Sequence, residues 1–106
     1  MVRLAPSEHD RFIQSCPGSV DLTFGGAESN VAASISILGG SSRFVSALPQ
    51  HAIADAFVRQ MRGFKVDVDH VLRREAGRFG IYYVEIGANQ RPSRVIYDRD
   101  YSAVSM

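Results

Sequence analysis

Val20-Asp21-Leu22-Thr23-Phe24 alternates apolar and polar residues with period two, and Gly25-Gly26 ends the alternation directly before a run of helical spacing. A strand that passes through two glycines into a helix is the tightest local constraint in the chain. In the helical run Glu28 stands in the first turn, Val31, Ile35 and Leu38 fall on one face at spacings of four and three, and Gly39-Gly40 is the stop signal. The interior residues Ala32, Ala33, Ser34 and Ser36 are small, so such a helix can lie close against a sheet.

The same grammar continues along the chain. Arg43 to Leu48 reads as a short strand ended by Pro49, and Ile53 to Arg62 as an amphipathic helix through Ile53, Phe57 and Met61, ended by Gly63. Val66 to Val71 alternates again. Phe79 to Ile86 and Ser93 to Asp98 are strand-like runs that flank Gly87-Ala88-Asn89-Gln90-Arg91-Pro92, a stretch suited to a wide hairpin. Val2 to Pro6 looks like the end of a strand that begins without a turn or cap, and Phe12 to Phe24 reads as a half-exposed strand or a hairpin broken at Pro17-Gly18. The fold class is therefore α/β, a βαβαβ layer with a small antiparallel piece made from about residues 12–24 and 79–98.

Composition narrows the function. Twelve basic and eleven acidic side chains give a net charge of +1 over 106 residues, which argues against a nucleic-acid or membrane-surface partner held by charge. Eleven of the twelve basic residues are Arg, the side chain suited to planar carboxylates and phosphates. A single cysteine, Cys16, rules out an intramolecular disulfide and a cysteine-rich zinc site, and it fits a reducing, cytoplasmic setting. His9, His51 and His70 are scattered, so no metal site is expected. The first ten residues lack the apolar core of a signal peptide.

Two places can carry chemistry. At Gly25-Gly26-Ala27-Glu28-Ser29-Asn30 the glycines let a ligand approach the backbone while first-turn N–H groups point at it, and Asn30 projects beside them. The same turn also serves as a plain strand-to-helix connection. It is neither a Walker loop nor a dinucleotide fingerprint. In the second place, alternation puts Val95, Tyr97 and Arg99 on one face of a strand, and a phenol beside a guanidinium suits a carboxylate-bearing, polyhydroxylated ligand. An edge strand dressed with charges would look alike, and Tyr82 and Tyr83 on the facing run share that ambiguity.

Taken in order, Arg3-Leu4-Ala5-Pro6, Gly25-Gly26-Ala27-Glu28-Ser29-Asn30-Val31-Ala32, Leu38-Gly39-Gly40, Leu48-Pro49, Gly77-Arg78-Phe79-Gly80-Ile81-Tyr82, Arg91 to Arg99 and Ser102-Ala103 resemble the ribokinase-like (phosphofructokinase B type) carbohydrate kinases. Within that family the chain looks most like the 2-keto-3-deoxygluconate kinases, with Glu28 marking the subgroup. The resemblance implies a Rossmann-like domain with a small β lid, residues 1–106 forming its N-terminal part. It also implies a substrate between lid and sheet, and lids that often clasp into a homodimer. Carried over by motif position, Gly25 and Gly26 approach the substrate hydroxyls through their backbone with Asn30 beside them. Tyr82, Tyr97 and Arg99 face the sugar acid, Arg99 pairing with its carboxylate. Ala54 and Lys65 stand where the family usually has glycine, and Lys65 is expected to be forced into a left-handed conformation.

Family members are about three times as long and hold the catalytic Asp, the anion-hole glycines and the ATP pocket in their C-terminal part. No catalytic, cofactor-binding or metal residue is therefore expected here, and ATP and Mg²⁺ belong to the intact enzyme. The expectation is the substrate-binding portion of an ATP-dependent 2-keto-3-deoxygluconate kinase. The alternatives are a non-catalytic remnant that binds a sugar acid or dimerises, or a related sugar kinase with another substrate. A chain of this kind should also leave a sheet part-built, with an open edge and an uncovered apolar face.

Overall fold

The computed structural model describes residues 1–105. Its elements are β1 (Val2–Ala5), α1 (Phe12–Ser15), β2 (Asp21–Phe24), α2 (Ala27–Ile37), β3 (Ala47–Pro49), α3 (Ala52–Gly63), β4 (Leu72–Arg74), β5 (Ile81–Glu85) and β6 (Arg94–Asp98). They fall into two compact units, one of Met1–Phe24 with Gly80–Arg99 and one of Gly25–Phe79 with Asp100–Met106. The architecture is mixed α/β, as expected.

The first unit is a four-stranded sheet of order β2-β1-β5-β6. β-Branched and aromatic residues in β5 and β6 suit a pleated, half-buried surface, and the two pair antiparallel with Tyr82 opposite Tyr97. Between them Gly87 N–H donates to Ser93 Oγ at 2.9 Å, and Arg91 N–H to the Ala88 carbonyl at 2.9 Å. β1 belongs to this sheet and not to the other unit's layer. It pairs antiparallel with β2 and parallel with β5, so that Val2 and Leu4 line up with Phe24 and Leu22 on one side and with Ile81 and Tyr83 on the other. Phe12-Ile13, read as strand, instead make one helical turn. Gln14 Oε1 accepts Arg11 N–H at 2.8 Å, Cys16 N–H closes the turn on the Phe12 carbonyl at 2.8 Å, and Glu85 Oε1 holds Phe12 N–H at 2.9 Å.

The second unit holds α2, α3 and the strands β3 and β4, which form a two-stranded parallel sheet. Its core is Leu48, Ala54, Phe57, Val58, Met61, Val66, Val68 and Phe79, with Phe57 edge-on to Phe44 and Phe79 at centroid distances of 5.6 and 5.7 Å. α3 starts where His51 Nδ1 accepts Ala54 N–H at 3.2 Å. The strands are shorter than the alternation implies: Arg43 makes one isolated bridge to Asp67, and β4 begins only at Leu72. The cause is a local turn, since Asp67 Oδ1 captures Asp69 N–H at 2.9 Å and the Val68 carbonyl captures Val71 N–H at 3.1 Å.

α2 departs most from its reading. Its buried residues are Ser29, Ala32 and Ser36, whereas Val31, Ile35 and Leu38 are 58%, 43% and 86% exposed. The small stripe lies inward because Ser42 Oγ donates to the Ala32 carbonyl at 2.7 Å and shares a 2.6 Å hydrogen bond with Ser36 Oγ, so the buried hydroxyls are satisfied. The uncovered apolar face is thus the stripe with the larger side chains.

Both long helices end in the same double hydrogen bond. For α2, Gly40 N–H reaches the Ile35 carbonyl and Gly39 N–H the Ser36 carbonyl; for α3, Val66 N–H reaches Met61 and Lys65 N–H reaches Arg62. The left-handed residue of this motif is Gly39 at φ 94° in the first case and Lys65 at φ 64° in the second. The strain expected at Lys65 is present. Lys65→Gly should therefore stabilise the fold by about 0.5–1 kcal/mol, read from urea denaturation midpoints.

Asp67 gives a second prediction. The Asp69 N–H and then the Arg43 guanidinium, whose Nε donates at 2.9 Å, hold its carboxyl below the ordinary Asp value. A depressed folded-state pKa stabilises the fold above the unfolded value, and the contribution is lost as pH falls through the folded one. Carbon-13 titration of the Asp67 carboxyl should show a midpoint below that of a free Asp, and Arg43→Ala should raise it.

Candidate functional site

Alternation in β5 and β6 sorts the three tyrosines of the hairpin. Tyr83 turns to the face that carries α1 and packs edge-on against Phe12 at 5.9 Å. Tyr82 and Tyr97, in-register partners, share the other face with ring centroids 6.2 Å apart and planes tilted by 40°. Arg99 lies two residues beyond Tyr97 and lays its guanidinium over that ring, 4.4 Å from the centroid. Tyr82 is half-buried, while Tyr97 and Arg99 are exposed. The predicted trio is therefore one cluster, two phenol hydroxyls and a planar cation on a single sheet face.

That cluster is anchored by a glycine. A Cβ on Gly80 would stand 3.2 Å from Arg99 Cβ, so the bare backbone there lets the arginine segment come close. In the sequence Gly80 stands only within the motif Gly77 to Tyr82, although a glycine at the head of an alternating strand also signals close approach of this kind. Among the described residues Arg99 has no carboxylate partner, so its hydrogen-bonding edges are open to a ligand. Such an arrangement can hold a carboxylate in a charge-assisted pair and offer two hydroxyls to a polyol.

Gly25, Gly26 and Asn30 belong to the other unit. Gly25 is buried, and Gly26 is the N-cap of α2 at φ 131°, a conformation that favours glycine. The Gly26 carbonyl accepts Asn30 N–H at 3.0 Å and Ser29 Oγ at 3.1 Å. No side chain caps the helix, which leaves its first N–H groups without a side-chain acceptor, and Asn30 is exposed. Two surface hollows lie elsewhere, one of about 270 Å³ bordered by Phe12, Tyr83, Glu85 and Ile96 and one of about 540 Å³ on the outer side of α3. Neither is lined by Gly25, Gly26, Asn30, Tyr82, Tyr97 or Arg99.

Among the described residues no three His, Cys, Asp or Glu side chains converge as a metal site, and no helix is long and apolar enough to cross a membrane. Gly80→Ala should crowd Arg99 off the Tyr97 ring, at a cost of about 1 kcal/mol. Loss of the ring-current shift on the Arg99 δ-protons, followed by NMR, would report it.

Residues 11–106 match the profile of the pfkB family carbohydrate kinases. The chain is similar to a 2-dehydro-3-deoxygalactonokinase of Haloferax volcanii, 37% identical over 99% of this chain and 32% of that protein. Among solved structures it is similar to a 2-dehydro-3-deoxygluconokinase of Thermotoga maritima, with a TM-score of 0.92 and 47% identity over 99% of this chain and 31% of that one. A pfkB family carbohydrate kinase of Listeria grayi follows at 0.91 and 31% identity, covering 99% and 32%. The chain spans about a third of the length of these proteins.

Proposed function

The chain belongs to the pfkB family of carbohydrate kinases, and on that premise we propose that it is the substrate-recognising portion of an ATP-dependent, cytoplasmic kinase that phosphorylates 2-keto-3-deoxygluconate. The observation that carries this reading is the stacked Arg99–Tyr97 pair with Tyr82 beside it. A keto-deoxy sugar acid offers a carboxylate at one end and hydroxyls along its chain. Arg99 pairs with the carboxylate while the Tyr97 ring keeps the guanidinium plane in place, and the phenols of Tyr82 and Tyr97 donate to substrate oxygens. Gly25 and Gly26 present backbone without side-chain bulk, and Asn30 supplies an amide for a hydroxyl. The relatives named for the gluconate and galactonate forms act on acids of this class, which differ from each other in the configuration of one carbon.

No step of the transfer itself is assigned to these residues. Donor, Mg²⁺ and the base that takes the hydroxyl proton belong with the two-thirds of the relatives' length that this chain does not span. The exposed Val31, Ile35 and Leu38 on α2 are the apolar face against which that portion would pack. Leu22 and Ile96, exposed on the sheet face opposite the tyrosine pair, are the surface through which two lids would join in a homodimer.

The test is steady-state kinetics of the full-length kinase with 2-keto-3-deoxygluconate, fructose and ribose. The sugar acid should be preferred, and Arg99→Ala should raise its KM by about tenfold to a hundredfold, the worth of a hydrogen bond to a charged group. An unchanged KM would remove the carboxylate role from Arg99. Preference for fructose or ribose would overturn the choice of sugar acid.

A further inference from the structure

The register of the first unit puts one more cation on the face of the tyrosine pair. Arg3 in β1 is the partner of Tyr82 across the parallel pairing and of Thr23 across the antiparallel one, and Tyr82 is in turn the partner of Tyr97. In-register partners present their side chains to the same face, so Thr23, Arg3, Tyr82 and Tyr97 form a row across all four strands. Strand spacing sets the Arg3 Cα about 5 Å from that of Tyr82 and about 10 Å from that of Tyr97. Arg99, two residues beyond Tyr97 on the same side, lies one row along, beside Gly80.

Arg3 sits on an inner strand of the sheet and is half-buried, an unusual place for a charge. Among the described residues it has no hydrogen-bonded or ion-paired side-chain partner. Asp21 is the one acid among the β-strand residues on that face, opposite Ala5 on the adjacent strand β2 and so diagonal to Arg3, and the two form no ion pair. Removing a guanidinium partly from water without an anion to face is unfavourable, and a strand interior offers Val or Thr as better-fitting residues. An anionic ligand on the tyrosine face supplies what the fold withholds.

We infer that Arg3 is a further substrate-contacting, specificity-determining residue, the second guanidinium that holds the acidic sugar. This rests on the reading of the tyrosine face as a sugar-acid site. Arg99 reaches the substrate from the sheet edge and Arg3 from its interior, with the two phenols between. Two fixed positive charges raise affinity for an anionic sugar and do nothing comparable for a neutral one.

The experiment measures KM and kcat of the full-length kinase for 2-keto-3-deoxygluconate in Arg3→Ala, Arg3→Gln and Arg3→Lys, with Arg99→Ala alongside and the KM for ATP and the unfolding midpoint as controls. Arg3→Ala and Arg3→Gln should each raise the sugar-acid KM about tenfold or more with kcat within about twofold, and Arg3→Lys should restore part of it. The KM for ATP should stay unchanged, and the unfolding midpoint should not fall. If Arg99→Ala raises the KM and the Arg3 variants do not, the inference about Arg3 fails while the sugar-acid site stands. If neither position matters, both fail. A rise in the KM for ATP or a fall in the unfolding midpoint that accompanies the sugar-acid effect assigns Arg3 to the framework of the sheet and overturns its role as a substrate contact.

Discussion

A slip of one residue between β1 and β5 would turn Arg3 to the opposite face of the sheet from Tyr82, and a slip between β5 and β6 would part Tyr82 from Tyr97. The register of these three strands is therefore the constraint on which the candidate site depends. It is held by the apolar rows on the other face, where Leu22, Leu4, Tyr83 and Ile96 align, and by Phe12, which covers Tyr83 from one helical turn. Packing on one side of the sheet thus fixes chemistry on the other. The pairing of Arg99 with Tyr97 is also close to Gly80, where a Cβ would stand 3.2 Å from Arg99 Cβ.

How much of this the sequence disclosed depended on the range of the interaction. The hairpin of β5 and β6 is local, its turn residues and alternation are adjacent in the chain, and the cluster of Tyr82, Tyr97 and Arg99 follows from them. The membership of β1 is not local. Val2 to Ala5 carries no mark of which strands it will join, because its partners lie beyond α1 on one side and beyond α3 on the other. The one-turn helix at Phe12–Ser15 was hidden for a similar reason, since it is held in part by Glu85.

α2 shows a different limit. Two stripes at spacings of three and four run along it, Val31 with Ile35 and Leu38, and Ser29 with Ala32 and Ser36. Hydrophobicity alone favours the first for burial. Closeness of approach favours the second, provided that the serine hydroxyls find partners, and Ser42 supplies one from outside the helix. The helix ends were more legible: Gly39-Gly40 signals its motif outright, and Lys65 was identifiable as a strained substitute only against the family pattern.

The parallel pairing of β1 with β5 has a consequence for the order in which the chain acquires structure. Strands β1 and β2 are synthesised early and can pair at once, but the other edge of β1 stays open until Ile81 is available. The whole of Gly25–Phe79, with both long helices and its own parallel strand pair, emerges in that interval. The first unit is thus begun before the second and completed only after most of it, and its inner strand β1 waits on the ribosome with one row of backbone groups unpaired, a period in which a nascent chain is exposed to wrong partners.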